Sequence, residues 1–186
     1  MQEFDPISHF GLFLNRNFLD SETCAKLLVE VNSSPTTQAP VYIEGTEGTI
    51  HEDVRKTTSL HPSDETISEM WNRLFQQKPL LEQHFGVSLT DCERPQFLRY
   101  EKGDFFVRHQ DGNTKQLDFD HLRVRRISIV VFLNDDFNGG ELKFSDTTTF
   151  DLFGETGTLV AFRADVFHEV CPVASGERFT MITWFR

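Results

Sequence analysis

The sequence predicts a mainly β protein, a sandwich or barrel, with α-helices buttressing one face. Three observations carry that prediction. Nineteen phenylalanines stand against two tyrosines and two tryptophans, and phenylalanine-rich, β-branched segments bounded by glycine suit the interior of a sheet. Helical periodicity is confined to the amino-terminal part of the chain. From Pro95 onward, short strand-like segments follow one another with turn residues between them, the order expected of a sandwich or barrel.

The elements follow in order. "SETCAKLLVEVN" carries apolar residues at 24, 27, 28 and 31, one face of a helix, with Asp20 or Ser21 as its cap. "SSPTTQAP", residues 33–40, reads as a loop. "IHEDVRKTTSL" reads as a strand with a mobile approach. A second helix is expected from Asp64 to Gln77, with Ile67, Met70, Trp71 and Leu74 on one side, and Pro79 opens a third that Gly86 closes. Beyond Pro95, "QFLRYEKGDFFVRHQD" reads as two strands around a turn at Lys102-Gly103. "RISIVVFLN" is a β-branched strand, and "NGGELKF" is a glycine turn leading into a strand whose Leu142 and Phe144 share a face. "GTLVAF", "FHEVCPV" and "ERFTMITWF" complete the series.

At 186 residues, one domain can bury roughly two-thirds of its unfolded surface. A net charge of −11 argues against nucleic-acid and anionic-membrane partners, which are held through lysine and arginine. "RVRR", residues 123–126, is a short basic exception and reads as a solvated strand start. "MQEFDPISHF" has no apolar core of a secretory signal, and no run approaches the ~18 apolar residues of a spanning helix. Cys24, Cys92 and Cys171 give neither a disulfide framework nor a zinc pattern. A reducing, cytoplasmic compartment is expected.

Within "FVRHQDGN", His109 and Asp111 are two apart, so in a strand they point to one face, with Val107 before them on what reads as an inward face. Polar groups pointing inward need partners. Either they are two ligands of one metal or an ordinary polar pair at a strand end. The candidate third ligand is His168, among apolar residues at the start of "HEV". His9, His51, His61 and His84 have poor contexts, and His121 in the acidic "DFDHL" is the one rival. Two histidines and a carboxylate suit non-haem iron(II), with open positions for an organic cosubstrate and dioxygen. Zinc hydrolysis uses a similar set, although no general base accompanies this one. Arg178, ten residues after His168, shares a strand face with Thr180, Ile182 and Trp184. Its guanidinium fork there is suited to a carboxylate.

These pieces together resemble the iron(II)- and 2-oxoglutarate-dependent dioxygenases, in their prolyl 4-hydroxylase-like branch: His-x-Asp, a histidine 57 residues past the aspartate, and an arginine ten beyond it. The resemblance covers Pro95–Arg186 well and the earlier helices weakly. It implies a double-stranded β-helix (jelly-roll) within one domain, 1–186, in which 1–94 give helical support and a lid and 95–186 form the catalytic β core. It further implies that His109, Asp111 and His168 hold iron(II), and that Arg178 pairs with the distal carboxylate of 2-oxoglutarate. Tyr100 would lie beside the cosubstrate, and Leu142, Val170 and Trp184 would form the pocket wall. Phe132-Leu133-Asn134 stands where relatives often carry Tyr-Leu-Asn, so one hydroxyl is missing, and Thr180 is the candidate replacement.

The implied activity couples decarboxylation of 2-oxoglutarate, giving succinate and carbon dioxide, to hydroxylation of a C–H bond, with dioxygen consumed and ascorbate (vitamin C) as accessory reductant. Asp111 favours hydroxylation over halogenation. The expected substrate is a peptide or protein, with residues 40–60 as lid and Arg125 or Arg126 at the entrance. A free amino acid or other small molecule is the close alternative. A jelly-roll module that binds metal without turnover is the alternative of another class.

Overall fold

The computed structural model describes residues 5–43, 46–112 and 120–186. The chain opens with α1 (Pro6–His9) and β1 (Phe13–Asn15), then α2 (Ser21–Asn32), whose N-cap is Asp20. Next come β2 (Thr36–Gln38), β3 (Val41–Ile43), β4 (Thr46–Thr49), β5 (Arg55–Lys56) and β6 (Thr58–Leu60). Helices α3 (Asp64–Phe75) and α4 (Lys78–Phe85) follow, the latter with Pro79 in its first turn and ended by Gly86 at φ 63°. The second half runs β7 (Gln96–Tyr100), β8 (Phe105–His109), α5 (Asp120–Arg123), β9 (Ile127–Phe132), β10 (Asn138–Gly139), β11 (Leu142–Ser145), β12 (Thr149–Leu152), β13 (Leu159–Arg163), β14 (His168–Val170), β15 (Val173–Ser175) and β16 (Arg178–Phe185).

Two antiparallel sheets face each other, the double-stranded β-helix of a jelly-roll. The larger has the order β1-β13-β9-β16-β7-β6-β2 and the smaller β12-β11-β14-β8-β5. Alternation along the central strands decides what each face does. In β9, Ile127, Ile129 and Val131 join Cys24, Leu27, Val31, Met70, Leu74 and Leu81 of the helices in one core. Val130 and Phe132 point the other way, into a second core with Leu142, Phe144 and Phe162 between the sheets. Both faces are therefore covered, which is why β9 is buried at every residue. Each large apolar side chain buried in this way contributes about 1.5–3 kcal/mol.

Two departures from the sequence reading matter. Thr36–Gln38, within the expected loop, is a strand paired with Thr58–Leu60 at the edge of the larger sheet. Its residues are all exposed, so no apolar pattern marked it. The single strand expected over 50–60 is instead two. Arg55-Lys56 pairs with Phe106-Phe105 in the smaller sheet, and Thr58–Leu60 pairs with Arg99–Phe97 in the larger. The chain changes sheets at buried Thr57, whose hydroxyl donates to the Arg99 carbonyl at 2.8 Å. β7 and β8 make the reverse change through Lys102-Gly103. Lys56 Nζ meets buried Asp104 at 3.1 Å and ties the two crossovers together. Among the described residues, no helix is long and apolar enough to cross a membrane.

Candidate metal centre and anion pocket

His109 ends β8 and His168 begins β14, and the antiparallel register places them directly opposite each other. Asp111 follows two residues after His109, and its backbone N–H donates to the Ala164 carbonyl at 2.9 Å. Gly112 donates to the same carbonyl at 3.0 Å and lets the chain pass close to residues 122–125, because a Cβ there would lie 2.5 Å from the Arg125 Cβ and the Leu122 carbonyl. The result is a cluster whose ligand atoms all lie within 4.8 Å of one another. The His109 and His168 Nε2 atoms stand 3.3 Å and 3.5 Å from the two oxygens of Asp111.

Each imidazole is oriented by its other nitrogen. Nδ1 of His109 lies 2.8 Å from the Val107 carbonyl, and Nδ1 of His168 lies 3.0 Å from the Val166 carbonyl. A carbonyl only accepts, so the proton belongs on Nδ1 and the lone pair of Nε2 faces the cluster, the arrangement of a metal ligand. Burial, helped by His109, lowers the pKa of His168 to about 4 and keeps the ring neutral. Burial alone would raise Asp111. The adjoining His168 and His109 side chains and the Trp184 indole more than reverse that, holding the carboxyl far below its ordinary range. The Ser128 hydroxyl donates to Asp111 Oδ2 at 2.8 Å. The Phe106 ring stacks on His109 at 3.6 Å, and Phe162 meets His168 edge-on at 4.7 Å.

The cluster opens into a pocket of about 440 Å³ whose walls include Tyr100, Leu142, Val170, Ile182 and Trp184. Arg178, from the facing sheet, lines the same pocket and is only 1% exposed. Its Nη1 reaches the Thr180 hydroxyl at 3.4 Å, while Nε and Nη2 are buried without a partner. The rings of Tyr100 and Phe132 lie 5.1 Å and 5.0 Å from its guanidinium carbon. Burial pulls its pKa down to about 10, so the group still carries its charge at neutral pH. Gly140, at φ +66°, makes room for the stem: a Cβ there would stand 3.0 Å from Arg178 Cδ. A buried cation with two unmet N–H groups, opening on a pocket with metal-type ligands, fits a bidentate carboxylate. The residues present therefore suit iron(II) with 2-oxoglutarate.

Phe132 and Thr180 adjoin Arg178. Neither is among the pocket-lining residues. Phe132 is fully buried, its ring set against Gly154, where a Cβ would lie 2.2 Å away. Thr180 is buried and its hydroxyl accepts from Arg178 Nη1 at 3.4 Å. Val107, expected to point inward, is exposed at 37% on the pocket rim. "RVRR" is not simply solvated either. Arg125 is buried, lines the pocket, donates to both Glu93 oxygens at 2.8 Å and 2.7 Å, and lies 3.6 Å over the Trp184 ring. Arg126 is exposed and is not among the lining residues. The side chain of His121, the rival ligand, lies outside the described residues.

Sequence reasoning missed Ser128 and Arg55. Ser128 alternates with Val130 and Phe132 in "RISIVVF", and one small hydroxyl in an inward apolar stripe was a readable signal. Arg55 is buried in the pocket wall beside Pro40, Val41 and Val54, and nothing in "EDVRKTT" separates it from a surface arginine.

Residues 95–186 match the family model described as the 2OG-Fe(II) oxygenase superfamily. A PKHD-type hydroxylase of Cupriavidus pinatubonensis is 32% identical over 96 residues, covering 50% of this chain and 42% of the relative. A PKHD-type hydroxylase of Burkholderia lata is 38% identical over 96 residues, again 50% of this chain and 42% of the relative. The chain thus spans less than half the length of these relatives. Among solved structures, a Pseudomonas putida prolyl-4-hydroxylase superposes with a TM-score of 0.73 at 23% identity, covering 97% of this chain and 94% of that one. A Trichoplax adhaerens prolyl hydroxylase, solved with a peptide fragment of the hypoxia inducible factor oxygen degradation domain, also gives 0.73, at 17% identity, covering 96% and 84%. At these identities the likeness is one of fold.

Proposed function

Residues 95–186 belong to the 2OG-Fe(II) oxygenase superfamily, and on that premise we propose that the protein is an iron(II)- and 2-oxoglutarate-dependent hydroxylase, prolyl hydroxylase-like, acting on a peptide or protein. His109, Asp111 and His168 would hold iron(II), and Arg178 would pair with the distal carboxylate of 2-oxoglutarate. The observation that carries this reading is Arg178 itself, a buried guanidinium with unpartnered Nε and Nη2 in the pocket that also contains the His-Asp-His cluster.

When bound, iron(II) with 2-oxoglutarate and dioxygen supplies an oxidant that hydroxylates an unactivated C–H bond, releasing succinate and carbon dioxide. The protein's own residues do the rest. The Val107 and Val166 carbonyls and the Ser128 hydroxyl fix the three ligands before anything binds. Two histidines and one carboxylate leave part of the metal's coordination open. Leu142, Val170, Ile182 and Trp184 make the pocket wall apolar, which excludes water from the reacting groups. Arg125, held by Glu93, fixes the Trp184 indole from behind.

A peptide substrate is supported by the pocket's rim. Pro40, Val41, Val54 and Arg55 line the pocket, and all four fall within residues 40–60, the proposed lid. The peptide bound to the Trichoplax adhaerens enzyme of like fold supports the same choice. The cytoplasm and a use of ascorbate belong to this reading as well, the first supported by three free cysteines and the second by the chemistry of the superfamily.

The test is anaerobic. Iron(II) and then 2-oxoglutarate are added to metal-free protein, and the weak visible metal-to-ligand charge-transfer band is sought. The band is expected in the native protein and lost in His109→Ala. Iron binding without the band would remove 2-oxoglutarate from the proposal, and no iron binding would remove the metal site.

A further inference from the structure

We propose that the primary substrate carries a carboxylate, and that Arg55, on the opposite sheet from Arg178, is the residue that pairs with it. This rests on the hydroxylase reading above and names the substrate chemistry the pocket selects.

On a protein of net charge −11, the described residues of the pocket lining include four guanidinium groups, Arg55, Arg108, Arg125 and Arg178, and one carboxylate, Asp111. Asp111 is committed to the two histidines. Arg125 is neutralised by Glu93, and Arg178 is assigned to the cosubstrate. Arg108 is exposed, lying 3.6 Å over the Phe167 ring and bonded to the Ser145 hydroxyl at 2.7 Å.

Arg55 is different. It is 8% exposed, its Nη1 donates to the Pro40 carbonyl at 3.0 Å, and its Nε is buried without a partner. Among the described residues, no carboxylate pairs with it. A buried cation left without an anion is costly, so either the site tolerates that cost for nothing or a ligand supplies the missing charge. The fold fixes its place, because β5 is registered on β8 with Arg55 opposite Phe106. The Phe106 ring lies 4.8 Å from the guanidinium carbon and 3.6 Å from the His109 imidazole. A carboxylate held at Arg55 therefore leaves the rest of its molecule one aromatic ring away from the His-Asp-His cluster. Two anion sockets result, one on each sheet. Arg178 takes the cosubstrate and Arg55 the substrate. The carboxylate has two possible sources, the terminal carboxylate of a free amino acid or an acidic side chain of a peptide.

The test compares matched acids and amides. Anaerobic protein loaded with iron(II) and 2-oxoglutarate is titrated calorimetrically, at constant ionic strength, with three pairs: L-proline and L-prolinamide, N-acetyl-L-proline and N-acetyl-L-prolinamide, and a proline-containing pentapeptide with glutamate or glutamine. At least one acid should bind roughly tenfold or more tightly than its amide, the size of one charge-assisted hydrogen bond. That preference should fall to within about twofold in Arg55→Gln, and Arg55→Lys, which keeps the charge and loses the fork, should retain part of it. The pair that responds identifies the source. The lysine variant decides the question if glutamine disrupts β5. Equal binding within all three pairs, or a preference that survives in Arg55→Gln, overturns the assignment. The charge-transfer band separates the two levels of the argument. Its absence defeats the hydroxylase reading and this one with it, whereas an intact band with indifferent acids and amides defeats Arg55 alone.

Discussion

Arg125 and Arg178 line the same pocket, both buried and both against aromatic rings, yet only Arg125 has a carboxylate. Its fork meets both oxygens of Glu93, which also faces Arg186 at 3.3 Å. Arg178 has the rings of Tyr100 and Phe132, one long contact to Thr180, and two N–H groups with nothing to donate to. A buried guanidinium that already has its anion holds structure together, and here it braces Trp184. One that lacks its anion is built to receive one. The His-Asp-His corner behaves like Arg125 in this respect, since each of its three side chains is already oriented by a hydrogen bond. The His-Asp-His end of the pocket is braced in advance, whereas Arg178 has no anion among the described residues.

The largest expected effect breaks the braced end. His168→Ala removes one of the three proposed ligands, which has no substitute among the described residues, and iron(II) binding should be lost, by at least about a hundredfold in affinity given that even supporting residues are worth 10–100-fold. An iron(II) titration checks this, and native-like affinity would remove His168 from the site. Next in size is Arg178→Met. It should leave iron binding intact and weaken 2-oxoglutarate by an amount equivalent to about 2–5 kcal/mol, the loss expected from a buried charged pair. The charge-transfer titration measures both quantities separately. An unchanged demand for 2-oxoglutarate would show that the cosubstrate's carboxylate sits elsewhere.

The same contrast explains what could be read in the sequence. His109, Asp111, His168 and Arg178 were legible because strand alternation and a handful of spacings locate side chains that must converge. The helices at 21–32 and 64–75 were legible from apolar periodicity and their caps. What escaped depends on which sheet a strand joins, a property of tertiary pairing that no local pattern encodes. Arg55 and Lys56 lie in the smaller sheet, and Thr58 two residues later in the larger. Without that crossover, Arg55 has no reason to be buried. Arg125 was expected at the pocket entrance, and it lines the pocket; reading "RVRR" as solvated missed its burial, because Glu93 lies 32 residues earlier and only the fold brings it close. Phe132 and Thr180 lie beside Arg178, as expected, but not among the pocket-lining residues.

A stability measurement sharpens the comparison without any ligand. Arg125→Met should destabilise the metal-free protein by about 1–3 kcal/mol, below the usual cost of breaking a buried ion pair because Glu93 keeps Arg186. Arg178→Met removes a buried charge that has no partner to orphan, so it should be neutral or stabilising by about 1 kcal/mol. Urea denaturation of the two variants gives the sign directly. A larger loss in Arg178→Met than in Arg125→Met would mean that the guanidinium stabilises the free protein through its rings, and the waiting-socket interpretation would fail.

The smallest effect tests whether the metal corner is braced through its carboxylate. Ser128 sits on β9 in the larger sheet and donates to Asp111 Oδ2, the oxygen nearer His168. It is a positioning residue, acting on the metal only through Asp111. Ser128→Ala leaves the three ligands in place and removes the donor that selects the rotation of the carboxylate, so iron(II) affinity should fall by about tenfold. Ser128→Thr, which keeps the hydroxyl, should restore most of it, and the affinity for 2-oxoglutarate of the iron-loaded variant should change less than that for iron. If alanine and threonine behave alike, the hydroxyl is only filling space beneath Asp111, and the carboxylate is oriented by the histidines alone.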